Sequence, residues 1–578
     1  MNSTTASSDD PVDYMDFLEF PMNPCSVESI PIPVNLQPNS RGAGNGEEAY
    51  DGSVLDVIPT RGCQNCTGRK VWPVMVGCYE LQEDQVTRKG YLDLYSITVP
   101  TNTEKDDGTG SIKFGTPHHV LGNEAQQSSS SLTATSGILD GKWYIPRLES
   151  TEASTSSCVT VTCGGDGNPM YFASAHSSGE IMIHSITIDH DYETSSDEVC
   201  ISPSSPASTV TAFQTELVGK SSTTAPIRDD DGDDDNLHSP SSSHPGLCLS
   251  LNWDRPTAII SEDTNISESA ISSLSLSSRI ISSYSKGIVK VHNILFPGGN
   301  QSISANNNDN TAVKFVEEYS WLGHTMFQNH PSEVWTACFV PTTSSSTGQN
   351  NNLVMTGGDE GNLKIWDLRC IDNSSDVTCR PNPVQVIKDF NAGVTVLSPH
   401  PRLDYIVACG SYDETIAIYD MRYFHSQTPS KLKSPLLCHS DSLGGGMWRM
   451  KWHPYNDDCL LLAAMHGGCR VVSVNGLLGH LSNMNESTVE EELASSMMNI
   501  SVKKEFTRHK SMAYGADWLV VDYDGAANKR SKASNTGSIH KGVSNSNSYY
   551  EAAASCSFYD RALYLWDVNI RKAEHHIF

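Results

Sequence analysis

The sequence predicts an all-β ring of seven four-stranded blades, a β-propeller with long disordered loop insertions. Two observations carry that prediction: a hairpin signature that returns seven times, and polar low-complexity stretches that fall between its copies. The clearest copies are GGDEGNLKIWDLR (357–369), GSYDETIAIYDMR (410–422) and SFYDRALYLWDV (557–568). In each, a turn rich in Asp or Gly leads into alternating apolar residues that close on an aromatic and Asp. Alternation with period two marks a strand with one buried face. Gly and Asp supply the backbone conformations of a tight hairpin turn.

Four weaker copies keep the turn and the alternation: KGYLDLYSI (89–97), AHSSGEIMIHSI (175–186), YSKGIVKVHNI (284–294) and MHGGCRVVSV (465–474). The place of Trp366 is taken in the others by Tyr95, His184, His292, Tyr419, Ser473 and Trp566. Trp366, Tyr419 and Ser473 stand 53 and 54 residues apart, close to the roughly 40–45 residues of one WD40 blade. The other intervals are longer and hold insertions. The surplus falls at 197–245, 298–312, 342–352, 475–504 and 525–548, where Ser, Asn and acidic residues dominate. Such segments bury too little apolar area to offset the entropy of ordering them, so they are expected as surface loops. Residues 1–45 are expected as a disordered acidic tail, and 50–578 as the propeller. Ring closure requires a strand from one terminus; Ser26–Val34 and Asn569–Phe578 are both candidates.

The chain of 578 residues carries a formal net charge of −29. That balance argues against non-specific nucleic-acid binding and against an anionic membrane surface. The N-terminus has no basic segment leading into an apolar one, and apolar runs such as Cys459–Met465 fall far short of the roughly 20 residues of a membrane helix. A cytoplasmic monomer without cofactor or metal is therefore expected. The 16 cysteines read as reduced thiols. Cys63 and Cys66 lack the second ligand pair that a structural zinc needs, and the Asp run at 229–235 lacks the Glu of a calcium loop.

The repeats resemble WD40 blades. That resemblance implies a structural hydrogen-bond set made by the turn Asp, a His before the first strand and the terminal Trp. Asp413, Asp560 and Glu360 fit the turn position, and His330 and His509 fit the histidine. Other residues have no such reason to be there. His466 and Gly467 replace the Tyr412–Asp413 pair, and the first strand of blade six opens on Gly444-Gly-Gly-Met-Trp448-Arg449. Loops before first strands and between second and third strands share one face of a propeller. His466, His509, Arg449, Asp413 and Asp359 are thus the catalytic candidates at one channel mouth, with His330, Glu333, Trp448, Tyr514 and Asp517 as substrate contacts.

Taken together, HPSEVW (330–335), GGDEG (357–361), GSYDE (410–414), GGGMWRMKWHP (444–454), AAMHGG (463–468), HKSMAYGADW (509–518) and CSFYDRALYLWD (556–567) resemble the diphthine methyl ester hydrolases. YDGSVLDVIP (50–59) and VGCYEL (76–81) extend the match weakly into the first blade. The resemblance implies removal of a methyl ester from over-methylated diphthine, a modified histidine on translation elongation factor 2, within diphthamide biosynthesis. That substrate carries a trimethylammonium group, which an acidic, aromatic-lined mouth attracts. Ester hydrolysis needs a base and donors for the oxyanion. There is no G-x-S-x-G elbow. His466 or His509 is the expected base, with a carboxylate orienting it, and Arg449 or turn amides are expected to receive the oxyanion; no nucleophile stands out. The alternative is a non-catalytic adaptor. Trp366-Asp-Leu-Arg369 and Tyr419-Asp-Met-Arg422 resemble the W-D-x-R element by which some WD40 proteins dock on cullin-type ubiquitin ligases.

Overall fold

The computed structural model describes residues 16–19, 23–29, 34–35, 70–82, 88–99, 113–114, 118–121, 136–144, 147–149, 158–160, 170–188, 213–222, 245–254, 258–259, 277–296, 313–326, 328, 330–342, 351–371, 381–425, 435–454, 456–482, 498–522 and 549–568. They form seven antiparallel sheets arranged as blades, and a small separate sheet of Arg147–Glu149, Cys158–Thr160 and Ala258–Ile259. Blades four and five show the plan most simply. Val334–Phe339, Leu353–Gly358, Leu363–Asp367 and Gln385–Ile387 follow one another outward in blade four. Val394–Pro399, Ile406–Ser411, Ile416–Asp420 and Leu436–His439 do so in blade five.

The core lies between blades. Seven apolar clusters each join residues of two neighbouring blades, from the Ile138, Met75 and Phe172 group between blades one and two to the Val27, Tyr95, Leu519 and Leu565 group between blades seven and one. The last of these shows the ring closed. Stacked sheets bury both faces of the strands in the middle of a blade, which explains uniformly buried strands such as Leu353–Gly358 and Ile416–Asp420.

Closure differs from the expectation. Asp16–Glu19 pairs antiparallel with Ala562–Leu565 as the outer strand of blade seven, and Asn23–Ser29 is the inner strand of blade one, paired with Lys70–Leu81. The N-terminal stretch is therefore structural at 16–19 and 23–29, and the ring begins well before residue 50. Ser26–Val34 overlaps an inner strand instead of closing the last blade; Asn569–Phe578 lies outside the described residues.

Two expected insertions also hold structure. Phe213–Lys220 is the outer strand of blade two, and Asn499–Phe506 is the outer strand of blade six, following the short helix Leu477–Ser482. An outer strand has a solvent-facing side and needs little apolar patterning, so its polar sequence does not exclude it. The stretches 298–312 and 525–548, the Asp run at 229–235 and the Cys63–Cys66 pair lie outside the described residues, as does most of 342–352. Among the described residues no helix is long and apolar enough to cross a membrane.

Candidate active site at the mouth of the ring

The geometry of the mouth is set by a repeated irregularity. The inner strands of blades one, three, four, five and seven each carry a bulge near their start, at Cys25, Leu249, Trp335, Thr395 and Tyr514. A bulge re-aims the extra side chain out of the pleat. Trp448 occupies the matching place in blade six, since its N–H already bonds Ala463 at 2.9 Å just before the strand Arg449–Trp452 begins. The outcome is a chain of aromatic rings. Trp335 and Trp448 have centroids 5.7 Å apart, Trp448 and Tyr514 4.9 Å, Tyr514 and Phe558 4.6 Å, and Phe558 and Tyr79 5.1 Å. Thr395, between Trp335 and Trp448 around the ring, is small enough for the two indoles to meet.

Above this arc stands a second row. In each of blades four to seven a residue of positive φ donates its N–H back three residues across the second turn: Gly361 to Gly358, Glu414 to Ser411, Gly468 to Met465 and Arg561 to Phe558. The residue after each acceptor is Asp359, Tyr412, His466 and Tyr559, and all four are exposed. His466 and Asp359 thus sit on the mouth face, as expected from sequence. Trp448 and Tyr514 are in the arc. Burial pushes the Tyr514 phenol up to about 12, and the nearby Tyr559 adds to this.

Several expected site residues are committed elsewhere. His509 Nε2 stands 3.0 Å from Ser555 Oγ, which also accepts the Trp566 indole N–H at 3.0 Å. This is the structural set of blade seven, and burial lowers the His509 pKa to about 4. Cys469 Sγ lies 3.7 Å from the same ring and Asp560 is close by, so the composition imitates a nucleophile–base–acid triad. Yet the Cys469 side chain is fully buried and its thiol is pushed up to about 12 by that burial. No substrate reaches it. In blade four the structural histidine is His324, not His330: it bonds Glu360 and Thr356, each at 2.7 Å. His330 is exposed on the preceding loop, where its carbonyl accepts the Met326 N–H. Asp413 is engaged by its own turn and the loop before its strand. Its carboxylate accepts the Asn391 N–H at 2.7 Å, the Thr415 N–H at 3.1 Å and the Thr415 hydroxyl at 2.6 Å.

Arg449 reaches across the channel. Its guanidinium donates to the Leu139 carbonyl of blade two and the Trp448 carbonyl, both at 3.0 Å, and lies 3.5 Å from Asp140. Burial raises the Asp140 carboxyl, but Lys142, Arg449 and the Leu251 N–H outweigh it and hold it low. Arg449 therefore braces the inner strands of blades six and two under the mouth, while its buried Nε–H has no partner among the described residues. Asp517 lies further down its inner strand, buried and 3.6 Å from Lys451. Glu333 contributes its carbonyl, which accepts the Asp359 N–H at 3.0 Å.

The glycine run that precedes Arg449 has a steric cause. A Cβ on Gly445 would stand 2.1 Å from the Ala464 carbonyl oxygen and 2.6 Å from the Gly467 nitrogen, and Gly444 has φ +82°. The loop lies flat on the second turn of its own blade. Arg470 takes the space left by the missing turn Asp, bonding the Gly467 carbonyl. Trp335, Tyr79 and Phe558 had gone unnoticed in the sequence. For Trp335 the available signal was an aromatic at a bulge, which breaks the alternation that reveals a strand; Tyr79 lies in the regular second strand of blade one and Phe558 just after the second strand of blade seven.

A WD domain, G-beta repeat family model matches residues 322–367 and 381–420, which are blades four and five. A diphthine methyltransferase homolog of Dictyostelium discoideum is 30% identical over 256 residues, covering 44% of this chain and 53% of its own length. The diphthine methyltransferase of Homo sapiens is 30% identical over 192 residues, 33% of each chain. The chain is similar to the WD40-repeat proteins named diphthine methyltransferase. It spans about half the length of the Dictyostelium relative and a third of the human one. A DDB1- and CUL4-associated factor 11 homolog of Caenorhabditis briggsae is 26% identical over 130 residues, 22% of this chain and 20% of its own.

Proposed function

We propose that this chain hydrolyses the methyl ester of methylated diphthine on translation elongation factor 2, a step of diphthamide biosynthesis, in the cytoplasm. The observation that carries the reading is the mouth: an aromatic arc of Trp335, Trp448, Tyr514 and Phe558 overlooked by exposed Asp359, Tyr412, His466 and Tyr559. The similarity to proteins named diphthine methyltransferase supports the pathway. The chemistry of the mouth favours an ester with a cationic neighbour. Aromatic faces attract a trimethylammonium group, and exposed Asp359 and His466 are groups able to take up a proton from water. The open end of a propeller suits a substrate presented on a protein surface. The test is to incubate purified chain with elongation factor carrying methylated diphthine, without any methyl donor, and to measure methanol. One methanol per ester lost supports hydrolysis; ester retained through many enzyme equivalents overturns it.

A second reading is favoured by the opposite face. Asp367 holds the Arg369 guanidinium at 2.6–3.2 Å and Asp420 holds that of Arg422 at 2.5–3.1 Å, each Asp also accepting its arginine's backbone N–H at 3.0 Å. Two arginines are thus presented alike on neighbouring blades, in line with an adaptor that docks on a ligase. Stoichiometric capture of a ligase subunit that Arg369→Ala and Arg422→Ala both weaken, without ester turnover, supports this reading.

A further inference from the structure

We propose that Asp359 is the catalytic base of the mouth and that Trp335 is the positioning residue that holds it. This rests on the mouth being the ester-hydrolysing site and goes further by naming the base and its support.

The carboxylate of Asp359 is fixed from three directions. Its backbone N–H bonds the Glu333 carbonyl at 3.0 Å, and its Oδ1 accepts the Trp335 indole N–H at 3.0 Å. Gly393 packs behind it, where an added Cβ would stand 3.3 Å from both its Cα and Oδ1. Trp335 is in turn held by the bulge that aims it and by the edge-on Trp448 ring. Oδ2 of Asp359 has no hydrogen-bond partner among the described residues. Asp413 serves its turn, Asp517 faces Lys451, and Asp140 faces Arg449 and Lys142. Glu360 bonds His324 and Asp560 accepts the Lys510 N–H, and the second oxygen of each, though without a partner among the described residues, is buried, whereas Asp359 is exposed. A group with one anchored oxygen and one open oxygen, beside an aromatic wall, is the arrangement that general-base catalysis on a bound ester needs.

The step balances as follows. A water molecule gives a proton to Asp359 Oδ2 while its oxygen bonds the ester carbonyl carbon, and the carbonyl π pair moves to the carbonyl oxygen. On collapse that pair re-forms the carbonyl and the bond to the methoxy oxygen breaks. The proton on Asp359 passes to the methoxy oxygen, methanol leaves, and the acid product ionises in water.

The experiment measures kcat and KM for methanol release by the full chain and four variants, with thermal melts of each. Asp359→Asn keeps the shape and removes the base: kcat should fall about 100-fold or more with KM within a few-fold. Trp335→Phe keeps the ring and loses the N–H, so kcat should fall about tenfold at little change in KM. Trp335→His restores a ring N–H and should recover part of that loss, which a purely structural tryptophan would not show. Asp359→Ala should regain turnover on adding formate. Folded Asp359→Asn with more than half the wild-type kcat overturns the assignment of the base. Equal kcat in Trp335→Phe and wild type overturns the positioning role. A wild-type chain that releases no methanol overturns the functional reading and this inference together.

Discussion

His324 Nδ1 stands 2.7 Å from Glu360 Oε1, and that bond fastens the loop ahead of blade four to the blade's second turn. The chain of bonds runs on from His324 Nε2 to Thr356 Oγ1 at 2.7 Å and from the Trp366 indole to the same hydroxyl at 2.8 Å. Burial pushes the Glu360 carboxyl up, but the His324 bond and the Lys364 charge outweigh it and bring it to about 2. His324→Ala or Glu360→Gln should therefore leave buried groups unpaired and cost about 1–3 kcal/mol in urea unfolding. Removal of both partners should cost less than the sum of the single changes.

Acid should unfold the ring early. Burial holds His176 at about 3 and His184, His292 and His509 at about 4, against about 6.5 in an unfolded chain. Their folded pKa values are depressed, so the unfolded chain binds more protons between pH 6.5 and 4. Stability is complete above the unfolded value and is lost as pH falls through that window, by on the order of 3 kcal/mol for each histidine at the acid end. Melts from pH 7.5 to 4.5 should show a steep fall. A flat profile would contradict the neutral, buried state of these rings.

The glycine loop of blade six offers a matched pair of substitutions. Gly445→Ala drives a methyl into the Ala464 carbonyl and should cost on the order of 2 kcal/mol or more, displacing Trp448 with it. Gly479→Ala has nothing within 4 Å of the new Cβ and lies in the helix Leu477–Ser482. It should be neutral, or stabilising by about 0.5–1 kcal/mol. Guanidinium unfolding of both variants checks the contrast.

His466 and His509 should behave oppositely. His466→Ala removes an exposed ring on the mouth face and should lower kcat/KM about tenfold or more at unchanged melting temperature. His509→Ala removes the partner of Ser555 in a buried set and should lower the melting temperature by several degrees, with turnover per folded molecule preserved. A His466→Ala enzyme of normal kcat/KM would remove that residue from the site.

Deletions should separate loop from strand. Excision of 223–244 should leave the melting temperature within a few degrees, because loop closure depends only weakly on length. Excision of 199–244 also removes Phe213–Lys220 and should destabilise blade two markedly. Comparing the two melts isolates the contribution of that edge strand.

The seven hairpins were legible in the sequence because their strands carry recurrent apolar residues and are joined by turns that demand Gly or Asp. Outer strands were not. Asn499–Phe506 consists of exposed and half-buried residues up to the buried Phe506, so it reads as a polar stretch. The rim of the mouth was partly legible: Asp359 and His466 stand at the same turn position in their blades, which the alignment of repeats displays. Of the arc, Trp448 and Tyr514 were legible but Trp335 was not, because it is aimed by a bulge, and a bulge is set by strand pairing that periodicity does not encode. His330 was mistaken for the structural histidine because His324 stands further ahead of its strand, which begins at Val334, than His509 does ahead of the strand that begins at Ala513, so the nearer histidine drew the assignment. Arg449 and Asp517 carry charge that stood out in the sequence; in the fold Arg449 reaches across the channel to blade two, and Asp517 lies beside Lys451 of the neighbouring blade six.

The pairing of Asp16–Glu19 with Ala562–Leu565 also sets an order of assembly. As the chain leaves the ribosome, its earliest segments must wait for nearly the last hairpin before blade seven acquires its fourth strand. Until then Asn23–Ser29 has a neighbour on one side only, and the cluster that joins Val27 to Leu519 and Leu565 cannot form. Contacts this distant in sequence are slow to make and leave apolar edges bare meanwhile. Nascent chains arrested before residue 562 should therefore be open arcs that depend on chaperones, whatever the stability of the finished circle.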